Sequence, residues 1–276
     1  MSRNLGDAKA RYRTSATAVS ATDVLGVPVG HWTYANAIER IIDLGRWHIG
    51  SAVAACNVYM VMAARGDADF RRCLAEFELV IPDSQPIRWA TNLLGNAGLK
   101  ETVAGMDLTL RLCEVARDQD LGVFLYGSYP ERVRCLAQNL QYWYPGLRIV
   151  GIQPSRFRPL TIEEDRGDID QINNSGAHIV FVGMGCPRQE RWASEHRASV
   201  KAVLVCVGGA FDVHSGVVPR APAWMRRSGF EWIYRLSREP RRMWRRYIYN
   251  NPAFLFLLGA AWIRKRLGWN RFLSRR

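Results

Sequence analysis

Short apolar runs alternate with longer segments of helical length from residue 51 onwards. The apolar runs predict six strands: Ser51–Cys56, Glu78–Ile81, Leu121–Tyr126, Leu147–Ile152, His178–Val182 and Lys201–Val207. The segments between them predict six helices: Val58–Arg72, Gln85–Leu94, Met106–Arg117, Pro130–Tyr144, Thr161–Asn174 and Pro187–His196. Strands that are apolar throughout and alternate with helices are typical of a parallel sheet. We therefore predict an α/β, Rossmann-like fold: a mostly parallel sheet with helices on both faces.

The two ends of the chain differ from this α/β body. Residues 1–22 are polar and rich in Ala, Ser and Thr, which predicts a disordered arm. After Pro219 the aliphatic pattern gives way to a segment rich in Arg and Trp. We therefore divide the chain into the arm, an α/β domain over residues 23–220 and a basic, Trp-rich helical appendage over residues 221–276.

The net charge of +13 comes from the C-terminal end of the chain. Residues 220–276 hold 15 Lys and Arg against two Glu, whereas the preceding residues hold 23 basic and 23 acidic side chains. Such a cationic end predicts contact with an anionic partner, which is a membrane surface, a phosphorylated ligand or a nucleic acid. A basic helix that only faces solvent is the alternative.

An apolar segment beside these charges favours the membrane. Pro252–Ile263 has twelve residues, and about 20 are needed to span a bilayer. Arginines and aromatic residues flank the segment on both sides, which is typical of a helix that lies in the membrane interface. We therefore expect the appendage to attach the protein peripherally to a membrane, and we expect no nucleic-acid partner.

The six cysteines show neither a CxxC pair nor a disulfide framework. Cys73, Cys113, Cys135 and Cys206 lie in apolar patterns, so we expect buried free thiols at these positions. Residues 1–22 contain no apolar signal segment. Together these features predict a protein of the reducing cytoplasm.

Small and polar residues follow the ends of five predicted strands, at Asn57, Asp83, Gly127-Ser128, Gly183–Gly185 and Gly208-Gly209. Ligands of open α/β sheets bind beyond the carboxyl ends of the strands. These positions are therefore predicted to form one site, although they are far apart in the sequence.

Asp83 follows the apolar run Leu79–Pro82 and precedes Ser84. A carboxylate where a helix begins serves either as the helix N-cap or as a general base. A free Asp has a pKa of about 3.9, so burial would have to raise that value to make Asp83 a better base. Asp212 and His214, after the last strand, are a rival base and a possible acid, with a self-bonded polar loop as the alternative.

Two strand–turn–helix segments are suited to a nucleotide. In Gly183–Glu190 the glycines allow the backbone to approach a phosphate, and the following helix N-terminus favours an anion. Gly127-Ser128 before Pro130 has the same design. The dinucleotide fingerprint G-x-G-x-x-G is not met, because its third glycine would fall at Arg188. An ordinary tight turn with surface polar residues is the alternative for both segments.

A metal site is not predicted. Asp67-Ala68-Asp69 has the D-x-D form by which many sugar transferases hold a metal on a nucleotide diphosphate, but it lies inside the predicted helix Val58–Arg72 instead of after a strand. We interpret it as a solvated helix face. No other cluster of His, Asp and Cys has metal-ligand spacing. We therefore predict neither a metal nor a cofactor.

Without a metal, arginines must neutralise a bound diphosphate. Helical spacing places five appendage arginines on roughly one face: Arg235, Arg238, Arg242, Arg245 and Arg246. Pro240 must kink or interrupt that helix.

These motifs together resemble the WecG/TagA/CpsF glycosyltransferases, which form glycosyltransferase family 26. The resemblance covers roughly residues 24–250, and it is most specific where a G-x-P-R-Q-E piece is combined with a G-G-x-F-D piece. The matching stretches are Asn57, Leu79–Asp83, Val103–Asp107, Tyr126–Ser128, Gly185–Glu190, Val207–Asp212, Ser215-Gly216 and the arginine-rich segment from Pro222 onward.

The resemblance implies an inverting, metal-independent glycosyltransferase. Its donor is a UDP-sugar and its acceptor is a saccharide on a polyprenyl diphosphate. It implies a place on the inner face of the bacterial plasma membrane, in the synthesis of exopolysaccharide or another cell-surface polysaccharide.

The resemblance also implies roles for individual residues. Asp83 matches the family's proposed base. The implied substrate-binding residues are Asn57, Gln85, Asp107, Gly127, Ser128, Gly183, Gly185, Pro187, Gln189, Glu190, Arg235, Arg242 and Arg245. In the mechanism that follows, backbone N–H groups near Gly127, Ser128 and Gly185 hold UDP, and the three arginines fold over its phosphates.

Two departures from the family pattern fall on the presumed acceptor side. Many members have Asp-Gly after the proline, whereas this chain has Asp83-Ser84-Gln85-Pro86, and many have Thr where this chain has Ala55. Both leave the sugar and the acceptor open. The Ser-Gln-Pro variant is closer to exopolysaccharide glucosyltransferases of the GumM type than to the teichoic-acid N-acetylmannosaminyl enzymes.

Two other functions are alternatives. A nucleotide-sugar epimerase or dehydrogenase needs a dinucleotide fingerprint and a Tyr-x-x-x-Lys pair, and the sequence has neither. A nucleic-acid-binding module would act through the appendage, with steep salt dependence and no effect of UDP. Exposed tryptophans of the appendage would be sheltered in a homo-oligomer, which is a further expectation.

Overall fold

A computed structural model describes residues 19–267, apart from the side chains of Arg227, Arg242 and Arg245. The strands form a two-stranded antiparallel hairpin and a six-stranded parallel sheet. They are β1 Ala21–Val24, β2 Val27–Gly30, β3 Ser51–Cys56, β4 Leu79–Pro82, β5 Val123–Gly127, β6 Ile149–Gln153, β7 Ile179–Gly183 and β8 Val203–Cys206. The six strands predicted from residue 51 onwards are confirmed, with ends that differ by at most two residues.

The parallel sheet has the strand order β4-β3-β8-β7-β5-β6, and every neighbouring pair is parallel. This confirms the predicted α/β class. The order differs from the 3-2-1-4-5-6 arrangement of dinucleotide-binding folds, because the last strand, β8, lies between β3 and β7. The carboxyl ends of all six strands lie at one edge of the sheet.

Helices cover both faces of this sheet. Before the appendage they are α1 Tyr34–Arg46, α2 Val58–Gly66, α3 Ala68–Ala75, α4 Gln85–Gly95, α5 Gly105–Asp118, α6 Pro130–Trp143, α7 Ile162–Asn174, α8 Arg188–His196 and α9 Gly208–His214. In the described part of the appendage they are α10 Ala223–Arg227, α11 Glu231–Arg238, α12 Pro240–Trp244, a π-helical turn at Arg245–Tyr249 and α13 Asn250–Arg266.

Alternate residues of each strand point into two separate cores. In β7, Ile179 and Phe181 pack with α1, α5 and α6, whereas Val180 and Val182 pack with α2, α3 and α8. The second core also receives Phe254 and Leu258 of α13, so part of the appendage packs against the α/β body. This two-sided burial explains why the strands are apolar at nearly every position.

The segment before residue 51 contains a hairpin and a helix that the sequence analysis did not predict. Ala21 and Thr22 were assigned to the arm but belong to β1, while residues 1–18 of the predicted arm lie outside the described residues. Helix α1 begins with a capping box in which Thr33 and Asn36 bond reciprocally.

The predicted helix Val58–Arg72 is two helices, and Asp67 caps both. Asp67 is the C-cap of α2, and its Oδ1 accepts a hydrogen bond from the N–H of Phe70 in the first turn of α3. The D-x-D pair is therefore at a helix junction, where Asp67 pairs with Arg191 and Asp69 with Arg72. Across the described part of the chain, no group of His, Cys, Asp and Glu is arranged to hold a metal ion.

All six cysteines are free thiols. Cys113 and Cys206 are buried as predicted, Cys73 is half-buried, and Cys135 is exposed. The last prediction was wrong because Cys135 lies on the outer side of α6, between residues that face the core.

The interruption expected at Pro240 is present, since α11 ends at Arg238 and α12 begins at Pro240. Within residues 19–267, no helix has the length and hydrophobicity needed to cross a bilayer.

Candidate active site

Two adjoining clefts open at the carboxyl edge of the parallel sheet. The glycine cleft, of about 410 Å³, lies over the ends of β5, β7 and β8 and is lined by Ser128, Gly183–Gly185, Gly208-Gly209 and Gln189. The arginine cleft, of about 690 Å³, lies between the end of β4, the start of α5 and the appendage. Its own cationic residues are Arg88, Lys100, Arg111, Arg220 and Arg226. Residues that line both clefts are Asn57, Asp83, Met106, Arg235 and Arg246.

Asp83 therefore lies where the two clefts meet. Its Oδ1 accepts a hydrogen bond of 2.6 Å from the backbone N–H of Gly105, the first residue of α5. Gly105 permits this approach, because an added Cβ would lie 3.0 Å from Ala55 Cβ and 3.1 Å from Val207 Cγ1. Ser84, and not Asp83, is the N-cap of α4. The N-cap interpretation is thus wrong for the helix that follows Asp83, although the carboxylate does lie at the N-terminus of α5.

The environment of Asp83 makes it a stronger base than a free Asp. Burial raises the pKa of Asp83 to about 6, and the hydrogen bond from Gly105 only partly opposes this rise. Glu231 raises the pKa further, whereas Arg235 lowers it. A carboxylate with a pKa near 6 is still mostly ionised at pH 7, so it is able to accept a proton from a hydroxyl placed beside it.

Two of the backbone N–H groups proposed for a diphosphate are already hydrogen-bonded in this structure. Ser128 N donates to Gly183 O at 2.9 Å, and Gly185 N donates to Gln189 Oε1 at 3.0 Å. Gln189 in turn donates from Nε2 to Glu190 Oε1 at 2.7 Å. Gln189 therefore closes the turn, and the N–H groups of Ser128 and Gly185 already have acceptors, which corrects the predicted cradle at these two positions.

Gly127 and Pro187 are absent from the lining of both clefts, as far as the described residues define them. Gly127 has φ of +108°, and an added Cβ would lie 2.9 Å from the carbonyl group of Gly183. An added Cβ on Gly183 would in turn lie 2.5 Å from the ring of Phe211. There is thus no space for a side chain at either position, and close packing at the base of the cleft explains why both residues are glycine.

Glu190 is fully buried beneath the glycine cleft. Burial raises the pKa of Glu190 to about 7, while the hydrogen bond from Gln189 opposes the rise. Burial also raises the pKa of the Cys186 and Cys206 thiols, which therefore stay neutral. Glu190 thus supports the turn and carries a charge that depends on pH near neutrality.

Arg235 of α11 reaches both clefts. Its side chain is one-fifth exposed and forms an ion pair with Glu231 at 3.8 Å. Its Nη2 lies 3.0 Å from the position of an added Cβ on Gly209, so a side chain at residue 209 would displace the guanidinium. The predicted position of Arg235 beside the strand ends is therefore what the structure shows.

Arg246 was grouped with the appendage arginines but was not chosen as a site residue, and it lines both clefts. Its Nη2 is 3.4 Å from Asn57 Oδ1, and its guanidinium carbon is 4.4 Å from the centre of the Tyr59 ring. It lies on the π-helical turn, whose changed register an α-helical count does not reveal. The side chains of Arg242 and Arg245 lie outside the described residues.

Asp107, which the resemblance implied to be a substrate-binding residue, lies in the arginine cleft and contacts two arginines that the sequence analysis missed. Its Oδ1 pairs with Arg220, and its Oδ2 lies 3.5 Å from Nη1 of Arg226. These partners are 113 and 119 residues away in the chain, so no local pattern could reveal them. Gln85, also in this cleft, accepts a hydrogen bond of 2.9 Å from Arg88.

Asp212 and His214, the rival base and acid, are held by polar contacts, and Asp212 also lines the glycine cleft. Asp212 pairs with Arg132 at 2.7 Å. His214 donates from Nε2 to Met106 O at 3.0 Å, and burial lowers the pKa of its ring. Gly208–His214 is helix α9, so the predicted polar loop is wrong. Asp83 is the carboxylate that faces both clefts without an arginine ion pair in the described residues.

Comparison with known proteins gives the class of this enzyme: it is a glycosyltransferase. The chain belongs to the WecG/TagA/CpsF glycosyl transferase family, which it matches over residues 22–268. This confirms the resemblance found in the sequence. Two similar proteins are named N-acetylglucosaminyldiphosphoundecaprenol N-acetyl-β-D-mannosaminyltransferase. That of Bacillus subtilis is 32% identical over 201 residues, 72% of this chain and 76% of the relative. That of Bacillus spizizenii is 30% identical over 200 residues, 72% of this chain and 75% of the relative.

Glu190→Gln is expected to stabilise the protein more at pH 8 than at pH 5. The pKa of Glu190 is about 7 in the folded protein and about 4.3 in an unfolded chain. The folded protein therefore favours the protonated form of Glu190, and ionisation lowers the free energy of unfolding. The wild-type protein loses stability as pH rises from the unfolded pKa to the folded pKa. The advantage of the variant should grow by about 2 kcal/mol between pH 5 and pH 8, as measured by urea unfolding.

Glu163→Gln is the matched control, because Glu163 is exposed in the first turn of α7. It should show no such dependence on pH. If the stability of Glu190→Gln relative to wild type is the same at both pH values, ionisation of Glu190 does not destabilise the folded protein and the prediction is wrong.

Proposed function

We propose that the protein transfers a sugar, with inversion at the anomeric carbon, from a UDP-sugar to a saccharide on a polyprenyl diphosphate. The names of the two relatives specify a sugar diphosphoundecaprenol acceptor, which supports the acceptor class. The observation that carries the proposal is Asp83, a carboxylate with a pKa raised to about 6, at the junction of two clefts. One cleft for each substrate is what a direct displacement requires.

The donor occupies the glycine cleft in this proposal. Gly208 and Gly209 leave space at the end of β8, and the diphosphate lies toward Arg235 and Arg246. These two guanidinium groups supply the positive charge that a metal supplies in other sugar transferases, so the reaction is proposed to need no metal. The acceptor occupies the arginine cleft on the other side of Asp83.

The displacement then follows from the positions of the groups. Asp83 takes the proton of the acceptor hydroxyl, whose oxygen attacks the anomeric carbon from the face opposite UDP. The bond from that carbon to the UDP oxygen breaks as the new glycosidic bond forms. Arg235 and Arg246 stabilise the negative charge that grows on the leaving diphosphate. The products are the extended lipid-linked saccharide, UDP and a proton on Asp83.

The appendage is proposed to seat this site on the inner face of the bacterial plasma membrane. On α13, Leu255, Phe256 and Ile263 are exposed, while Arg264 and Lys265 follow at its end. An apolar face beside cations suits an anionic lipid interface. Two of the appendage arginines behind the nucleic-acid alternative, Arg235 and Arg246, line the clefts, which favours a small anionic ligand for them, whereas Arg238 is exposed and lines neither cleft. The division at residue 220 and a homo-oligomer stay predictions.

Asp83→Asn is expected to lower kcat by about 10²- to 10⁴-fold, because the amide cannot accept the proton. The dissociation constant for UDP should stay within about twofold of wild type, since Asp83 acts on the acceptor. In wild type, kcat/KM should rise as pH increases through about 6, the pKa of Asp83, because only the ionised carboxylate is a base. Steady-state rates and isothermal titration with UDP measure both effects.

Glu190→Gln is the control for the pH profile, since it removes the other carboxyl group with a raised pKa. It should keep the increase near pH 6. An equal loss of UDP affinity and turnover in Asp83→Asn would instead indicate a binding or folding role.

A panel of radiolabelled UDP-sugars tests the donor class. The chain's own Ser84-Gln85-Pro86 sequence predicts that transfer from UDP-glucose is at least about tenfold faster than transfer from UDP-N-acetylmannosamine. This ratio corresponds to a difference of about 1.4 kcal/mol in activation free energy.

The rate should be unchanged when EDTA is added. UDP should raise the unfolding temperature, because a ligand that binds only the folded state stabilises it. The reverse ranking would contradict the GumM-type subgroup. No transfer from any UDP-sugar and no stabilisation by UDP would contradict the proposed function itself.

Substitution of the exposed residues Leu255 and Phe256 by serine is expected to weaken binding to vesicles that contain anionic lipid. Both side chains would be buried in the membrane interface when the protein is bound, and their loss costs about 3 kcal/mol or more of binding free energy. The fraction of protein that sediments with the vesicles should therefore fall severalfold. Stabilisation by UDP should not change. Ile162→Ser, at an exposed position of α7, is the control and should leave vesicle binding unchanged. Equal vesicle binding by wild type and the double variant would contradict the membrane role of α13.

A further inference from the structure

The arginine cleft carries more positive charge than its own acidic groups balance. Its lining includes seven cationic residues and four acidic ones: Arg88, Lys100, Arg111, Arg220, Arg226, Arg235 and Arg246 against Asp83, Glu101, Asp107 and Glu231. A net charge of about +3 in a cleft of about 690 Å³ favours an anion of two or more charges. A diphosphate that links a lipid to a sugar has two.

Several hydrogen-bonding groups of this cleft also lack protein partners. Within the described residues, the Nε–H groups of Arg220, Arg226 and Arg246 and the hydroxyl of Ser84 are buried and make no hydrogen bond. A buried donor without an acceptor costs free energy, and phosphate oxygens are strong acceptors. The unpaired donors therefore indicate a ligand rich in oxygen.

Asp107 fixes two of these arginines in place. Its carboxylate pairs with Arg220 on Oδ1 and with Arg226 on Oδ2, and the two arginine side chains are 26% and 30% exposed. One carboxylate between two guanidinium groups leaves a net charge of +1 and orients both. Arg111, one helical turn after Asp107, lies over the Tyr34 ring at 4.1 Å.

The same helix turn ties this cluster to the base. Gly105 binds Asp83, and Asp107 follows two residues later in the first turn of α5. Arg220, Arg226 and Arg111 line the arginine cleft and not the glycine cleft. A diphosphate held by them is therefore on the acceptor side of Asp83 and separate from the leaving diphosphate.

We propose that Arg220 and Arg226, oriented by Asp107, bind the diphosphate of the lipid-linked acceptor. This inference rests on the proposed function for the identity of the ligand. It assigns the two diphosphates of the reaction to two arginine sets: Arg235 and Arg246 for the donor, and Arg220 and Arg226 for the acceptor. The acceptor arginines hold a group that does not react, so they act on binding more than on the chemical step.

The first measurement is binding of farnesyl diphosphate, a short polyprenyl diphosphate without a sugar, by isothermal titration. Arg226→Gln and Arg220→Gln should each raise its dissociation constant by about tenfold to a hundredfold, which is the effect of losing a hydrogen bond to a charged group. Binding of UDP should stay within twofold. Arg188→Gln is the matched control, because Arg188 lines the glycine cleft alone, and it should leave farnesyl diphosphate binding unchanged.

The second measurement compares two acceptors that carry the same saccharide, one on a short prenyl diphosphate and one on a neutral alkyl chain. Arg226→Gln should lower kcat/KM for the first by at least tenfold, mainly through KM, and leave the second within threefold. Arg226→Lys, which keeps the charge, should recover part of the loss. Equal losses with both acceptors, or unchanged farnesyl diphosphate binding in both glutamine variants, would overturn the proposal.

The two measurements separate this inference from the proposed function. Transfer by wild type to neither acceptor would contradict the proposed function. Binding of farnesyl diphosphate that depends on Arg226 would still support the diphosphate site in that case.

Discussion

The hydrogen bond from the Gly105 N–H to Asp83 Oδ1 is the contact around which the site is arranged. It joins the end of β4, an edge strand of the parallel sheet, to the first turn of α5. It also holds a carboxylate at a helix N-terminus, where negative charge is favoured. Burial opposes that charge and is the larger effect, so the pKa remains above that of a free Asp. Because the same turn carries Asp107, the position of Asp83 and the position of the Arg220–Arg226 pair depend on each other.

The sequence predicted the sheet well because its strands are buried on both sides and therefore apolar at nearly every position. The elements before residue 51 escaped notice for the opposite reason. Strand β1 has four residues with alternate burial, which is too short for a clear period. In α1 the third residue is Asn36, where a capping box usually has Glu or Gln. The helix break at Asp67 was missed although Gly66 precedes it, because no loop separates the two helices and the single residue Asp67 ends one and begins the next.

The site was predictable to the extent that it lies at strand ends. Asp83 lies at the mouth of the clefts as expected, since the carboxyl ends of parallel strands converge, whereas Asp107 was named only from the family resemblance. The Asp107–Arg220 contact joins residues 113 positions apart and leaves no local signal. The N–H group of Gly185 illustrates a second limit of sequence patterns. A pattern shows that a backbone donor exists near a turn, but only the fold shows that the Gln189 side chain already accepts from it.

The π-helical turn Arg245–Tyr249 connects Arg246 to α13, and the number of residues between them determines which way each side chain faces. In a helix each residue adds roughly 100° of rotation, and Phe254 and Leu258 must face the body while Arg246 faces the clefts. Loss or gain of one residue between them would rotate one set away from its target. Related chains should therefore vary in length within loops such as residues 154–161, but keep constant the number of residues between the arginine that faces the clefts and the helix that packs on the body.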